Sequence, residues 1–197
     1  CIAEKEVIVV EAARARFLEA MRSDPRAHEL SRAQMDQLSK LAILEPGREP
    51  KVTRDFIGKN PSVIARSIGL NLSDEIRGLW AEVPNDHPCV VSEQLMPVLP
   101  VTFCRDIDSA IELARFAEGE NHHSAGMYST NVKNMTKMGR RMACSIFVKN
   151  GCTLNGLGLG EGYASMSIGT PTGDGITKTS HFVRPLQCSI VGDFRIA

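Results

Sequence analysis

The sequence predicts an α/β fold, a sheet with helices packed on its faces. Three observations carry this. Strand and helix signals alternate from the start to about residue 150. The first run, "EKEVIVV", is rich in β-branched residues, as a strand buried on both faces would be. The helical segments carry their own start and stop signals.

The elements follow in order. A strand over residues 5–10 leads into 11–21, where Ala, Phe17, Leu18 and Met21 recur at helical spacing. In "ELSRAQMDQLSKLAIL", Ser31 stands three residues before Gln34, the spacing of a capping box. "KNPSVIARSIG" offers Asn60 as N-cap, Pro61 at the first helical position and Gly69 as a stop. A short strand over 79–83 and a stronger one over 97–104 precede a helix from Asp108 to about Ala117. Strand-like "AGMYST" then leads to a helix capped by Asn131, and "CSIFVKNG" closes the series as another strand. Beyond residue 150 the glycine-rich "NGCTLNGLGLGEGYASMSIGTPTGDG" lacks helical periodicity and reads as ordered loop. "HFVRPLQCSIVGDFRIA" reads as a final strand or arm, and there is no internal repeat.

Composition narrows the function classes. At 197 residues and 43% hydrophobic, the chain can bury a real core. Lys+Arg and Asp+Glu both number 23, so no global field draws it to nucleic acid or to a membrane surface. No apolar run reaches a bilayer span, and no signal peptide is expected. The cysteines at 1, 89, 104, 144, 152 and 188 show no C-x-x-C pair and no zinc spacing, which predicts reduced cytoplasmic thiols and no metal site.

Four stretches could carry chemistry. Cys1 is a nucleophile with its own α-amine as base, or the active-site cysteine of a larger enzyme, or a small packing residue. The glycines of 156–162 follow a strand, but run G-x-G-x-G-x-G with no helix behind them. A phosphate cradle competes there with a loop needing positive φ and close backbone approach. In "NHHS" the adjacent histidines diverge, which disfavours a shared metal. One of them is a general base or donor, or both are surface or cap residues. Glu93, ahead of the strand in "SEQLMPVLPV", is either solvated or an acceptor for a ribose.

Taken together and in order, "CIAEKEVIVV", "GKNPSVIA", "HPCVVSEQLMPVLPV", "NHHSAGMYSTN", "SIFVKNG", "GLGLGEGYASMSIGTPTGDG" and "FRIA" resemble the CoA-acylating aldehyde dehydrogenases. The similarity is greatest to the acetaldehyde and propionaldehyde dehydrogenases of bacterial microcompartments. It is more distant to the aldehyde dehydrogenase part of bifunctional aldehyde–alcohol dehydrogenases. It runs over essentially all 197 residues. The resemblance implies the three-layer catalytic domain of the aldehyde dehydrogenase fold over 1–178, with a C-terminal oligomerisation strand over 179–197. Most of the Rossmann-type cofactor domain would lie upstream, so that this stretch alone would be inactive.

Carried over residue by residue, the resemblance makes Cys1 the nucleophile. Its thiolate would attack the carbonyl of a short aldehyde, hydride would pass to NAD, and coenzyme A would take the acyl group from the resulting thioester. Glu93, four residues before Pro97, matches the glutamate that binds the nicotinamide-side ribose. Leu95 takes the cofactor-binding place where hydrolytic relatives carry a phenylalanine against the nicotinamide, and Met96 stands where they carry glycine, departures that suit entry of coenzyme A. His123 matches the His-Thr/Ser position of acylating members and would support the thiol steps. "GLGLGEGY" lacks a glycine expected before its glutamate, and "VRPLQC" lacks a basic cluster that relatives carry. The implied partners are a small aldehyde, further copies of the chain as a dimer or tetramer, and a microcompartment shell within a bacterial cytoplasm. Two other readings are open: a non-enzymatic assembly module, and a hydrolase using the α-amine of Cys1.

Overall fold

The structure is a computed structural model that describes residues 2–46, 49–158, 179–189 and 191–192. Its frame is a four-stranded sheet built from β1 (Val7–Val10), β2 (Ala27–Glu29), β5 (Gly78–Glu82) and β6 (Val98–Cys104). The strand order is β1-β6-β5-β2, and every neighbouring pair is parallel.

Alternation along the central strands sorts side chains into two layers. Leu79 and Ala81 of β5 and Val98 of β6 face a core that also holds Met35, Leu38 and Ala42 of α2 (Arg32–Ala42) and Ile64 and Ala65 of α3 (Pro61–Arg66). Trp80 and Val101 face the other way, with Val9, and meet Phe17, Leu18 and Met21 of α1 (Arg14–Ser23). Helix, sheet and helix therefore form the three layers that the sequence predicts. Ser31 caps α2 through the full capping box, its hydroxyl accepting from Gln34 N and the Gln34 side chain accepting from Ser31 N.

A second, smaller lobe follows. Helix α5 (Ile107–Glu118), capped by Asp106, begins one residue before the Asp108 start that the sequence suggests. Gly119, at φ 72°, ends it in the left-handed conformation. Strands β7 (Ser124–Met127) and β8 (Ile146–Lys149) pair in parallel around α6 (Val132–Met142), whose start Asn131 caps as expected. The lobe's core is Ile111, Ala125, Met127, Met138 and Met142. Across its surface Arg141 holds Glu112 at 2.7 and 2.9 Å, and Lys137 pairs with Asp108.

Three features escape the sequence pattern. They are β2, the antiparallel pair β3 (Ile43–Glu45) with β4 (Lys51–Val52), and the single-turn helix α4 (Pro88–Val91). At Asn60 the position is that of an N-cap, but its side chain makes no capping hydrogen bond. In the expected arm, 179–182 form a 3₁₀ turn, and the described residues from 183 onward are exposed and belong to no strand. Residues 190 and 193–197 lie outside the described residues.

Candidate active site

Cys1 lies outside the described residues, and the segment that follows it is hydrogen-bonded on two sides. The Ile2 carbonyl accepts from the Thr153 hydroxyl, and the Glu4 carboxylate accepts from Thr153 N at 2.9 Å. Thr153 opens a 3₁₀ turn (Thr153–Leu157) just beyond β8. On the other side Lys5 Nζ donates to the Val90 carbonyl of α4 at 2.5 Å and pairs with Glu6 at 2.8 Å. Residues 2–6 thus run between the main sheet and the small lobe before entering β1.

Glu93 and Leu95 occupy the turn between α4 and β6. One Glu93 carboxylate oxygen accepts from Leu95 N at 3.0 Å, closing a tight local ring. Leu95 has φ 53°, a left-handed conformation that costs a non-glycine residue about 1 kcal/mol or more. Its side chain is 40% exposed, unusual for leucine at a strand entrance. Between the two, Gln94 is buried. Its amide nitrogen faces three carbonyls, those of Cys89 at 3.1 Å, Val98 at 3.4 Å and Lys5 at 3.5 Å, while its Oε1 has no partner within the described residues. Met96 packs against the main core.

The two histidines separate by role. His122 has φ 54°, and its Nδ1 lies 3.1 Å from the Met142 carbonyl, so it can only donate there and ties the entrance of β7 to the end of α6. His123 is half-buried just before β7. Its backbone N–H donates to Glu118 Oε1 at 2.8 Å, and its Nδ1 lies 3.1 Å from Ser124 Oγ. Burial pushes its pKa below the usual imidazole value, against the opposing pull of Glu118 and Glu93. A neutral imidazole near pH 7 can accept a proton from a thiol.

The carboxylates complete the electrostatics. Burial holds the Glu6 carboxyl above its usual range, Lys5 opposes this, and the charges of Glu93 and Glu118 push it further up. The same two glutamates act on His123. Glu93, Glu118, His123 and the segment after Cys1, far apart in sequence, therefore share one electrostatic neighbourhood.

The other thiols contrast with this. Burial pushes Cys89 and Cys144 up to about 12, which leaves them protonated and unreactive, and it raises Cys104 as well. No group of three or more His, Cys, Asp or Glu side chains could hold a metal ion among the described residues. In the glycine stretch, Gly156 abuts Ile146 so closely that an added Cβ would stand 2.3 Å from its Cγ2, and Gly158 has φ 97°. Close approach and positive φ account for these two, whereas residues 159–162 lie outside the described residues. A cleft of about 650 Å³ between α5 and α6, lined by Lys133, Lys137, Arg140 and Arg141 among others, includes none of the candidate residues.

Lys5, Gln94, Glu118 and Thr153 were not singled out from the sequence. For Gln94 the available signal was a polar residue immediately before an apolar strand. Lys5 and Thr153 gave none, because their partners lie 85 to 151 residues away.

No protein-family model matches the chain. The acetylating acetaldehyde dehydrogenase of Salmonella typhimurium is 42% identical over 199 residues, covering 100% of this chain and 42% of that protein. The CoA-propanoylating propanal dehydrogenase of the same organism is 40% identical over 198 residues, with the same coverage of each, 100% and 42%. Among solved structures, the propionaldehyde dehydrogenase of Rhodopseudomonas palustris with bound CoA and an acylated cysteine superposes with a TM-score of 0.85. It is 35% identical, over 93% of this chain and 41% of that one. The propionaldehyde dehydrogenase of the Clostridium phytofermentans fucose utilisation bacterial microcompartment also gives 0.85, at 30% identity over 93% and 42% of the two chains. The chain spans 42% of the length of these sequence relatives. Over its whole length the chain is homologous to part of these CoA-acylating aldehyde dehydrogenases, and it shares their three-layer α/β architecture.

Proposed function

We propose that the chain is the thiol-bearing catalytic part of an enzyme that converts a short aldehyde and coenzyme A to acyl-CoA, with NAD as oxidant. The observation that carries this is the convergence of three distant segments: residues 2–6, the Glu93 turn, and His123. Relatives named for acetaldehyde and for propanal support a two- or three-carbon substrate.

The residues fit a nicotinamide cofactor. Glu93 offers carboxyl oxygens at a turn, suited to ribose hydroxyls, and Leu95 presents an exposed apolar side chain beside it. When bound, the cofactor supplies the hydride acceptor. A related engineered glycolyl-CoA reductase was solved with NADP+.

The chain's own part is sulfur and proton chemistry. The Cys1 thiolate adds to the aldehyde carbonyl carbon, and loss of hydride from that carbon leaves a thioester on the sulfur. Coenzyme A then attacks the thioester carbonyl, and the Cys1 sulfur departs. His123, neutral and half-buried, accepts the proton of the incoming thiol at its Nε2, while Nδ1 faces Ser124 Oγ. Assembly as a dimer or tetramer through 179–197, and residence with a microcompartment shell in the cytoplasm, belong to the same proposal. The microcompartment origin of a structural relative supports it. No helix among the described residues is long and apolar enough to cross a membrane.

The test is to give the protein at its natural length propionaldehyde, NAD and coenzyme A. NADH and propionyl-CoA should form in equal amounts, and Cys1→Ala should abolish both. NADH formation that survives Cys1→Ala would refute the assignment.

A further inference from the structure

The residues after Cys1 are held from two sides by side chains to which the acyl-transfer steps give no part. On the sheet side, Lys5 Nζ donates to the Val90 carbonyl at the end of α4, a group that a single-turn helix leaves without an intrahelical partner. The Lys5 side chain is only 14% exposed, and Glu6 at 2.8 Å balances its charge. Gln94 adds its amide to the Lys5 carbonyl at 3.5 Å while anchored on Cys89 and Val98. On the lobe side, Thr153 binds twice, through its hydroxyl to the Ile2 carbonyl and through its N–H to Glu4.

The two anchors sit on the two elements that carry the other candidate groups. Val90 and Gln94 flank the Glu93 turn, and Thr153 follows β8, the partner of the strand that begins beside His123. From the Ile2 carbonyl to the Cys1 sulfur run one planar peptide bond and four rotatable torsions, two of them in Ile2, so pinning that carbonyl restricts the reach of the sulfur.

We propose that Lys5, Gln94 and Thr153 are positioning residues: they clasp residues 2–6 between the Glu93 turn and the small lobe, and so set where the Cys1 sulfur stands relative to Glu93 and His123. The three act through residues 2–6. The proposal rests on the acyl-transfer reading for its kinetic consequence, but the clasp itself is testable without it.

Two measurements on the protein at its natural length decide it. In the first, hydrogen exchange is followed in the peptide spanning residues 2–10. Lys5→Met should lose protection there, with the β5 peptide unchanged. In the second, propionaldehyde and NAD are mixed rapidly without coenzyme A, and the NADH burst reports acylation. Lys5→Met should slow the burst by about ten- to a hundredfold, the scale expected for a displaced nucleophile, with the aldehyde KM unchanged. Lys5→Arg, which keeps the donor and the charge, should restore most of the rate. Wild-type protection in Lys5→Met, or a wild-type burst, would overturn the clasp. So would a slow burst that merely follows a lowered melting temperature and that Lys5→Arg leaves slow. Should Lys5→Met fail to fold, Thr153→Val reads the clasp from its other end, with the same two expectations and the same refutations. If the unmodified protein gives no burst, the acyl-transfer reading fails, and hydrogen exchange still judges the clasp.

Discussion

The main sheet body and the small lobe solve the same packing problem in different ways. The body buries Leu79, Ile64, Leu38 and Trp80 almost completely, in layers on both faces of a four-stranded parallel sheet. The lobe has two strands and a five-residue core, three of them methionines, and ties α5 to α6 with exposed ion pairs. Branched side chains in a closed core specify one arrangement, whereas methionine fills gaps and repacks readily. Glu93 belongs to the rigid body and His123 to the adaptable lobe. The candidate site is therefore divided between a core of branched side chains and one rich in methionine.

The difference can be broken at its strongest point first. Leu79→Ala empties the fully buried centre of β5 and should cost about 2–5 kcal/mol in urea unfolding. If the body were as forgiving as the lobe, the loss would fall well below that range. Next, Gly156→Ala drives a Cβ to 2.3 Å from Ile146, so repacking of β8 should cost about 1–3 kcal/mol even in the softer lobe. A neutral result in thermal melts would mean that the lobe absorbs strain better than its contacts suggest. Smaller still, Ser31→Ala removes the hydroxyl half of the capping box on α2 and should cost about 1 kcal/mol.

The last prediction concerns the seam between the two regions, where pH is the probe. The folded Glu6 carboxyl holds its proton to higher pH than it does in the unfolded chain. Between those two values the folded state binds more protons, so stability falls as pH rises through the window. Glu6→Gln should flatten that decline, seen as melting temperatures that depend less on pH above the ordinary carboxylate range. An unchanged slope would place the titration elsewhere.

How much of this was written locally in the chain also differs between the regions. β1, β6, α2 and α5 announce themselves through β-branched runs and capping residues, because those signals act within a few positions. Strand β2 and the β3–β4 pair do not, since two or three residues cannot display a period. Within the candidate site, Glu93, Leu95 and His123 are reachable through resemblance to a family. Gln94 offers only its place ahead of an apolar run, and Lys5 looks like a surface lysine, until the fold brings partners 85 and 89 residues distant against them. Likewise the tandem histidines look equivalent in sequence, and only the Met142 carbonyl assigns His122 to structure.

The central claim is that the sulfur at position 1 carries the acyl group. The most direct test is to treat the protein at its natural length with propionaldehyde and NAD, quench it, and map the modified peptides by mass spectrometry. The account predicts a propionyl group on Cys1 that disappears when coenzyme A is added, with propionyl-CoA appearing in its place. An acyl group on Cys152 or Cys188 instead, or none on any cysteine while NADH forms, would contradict it.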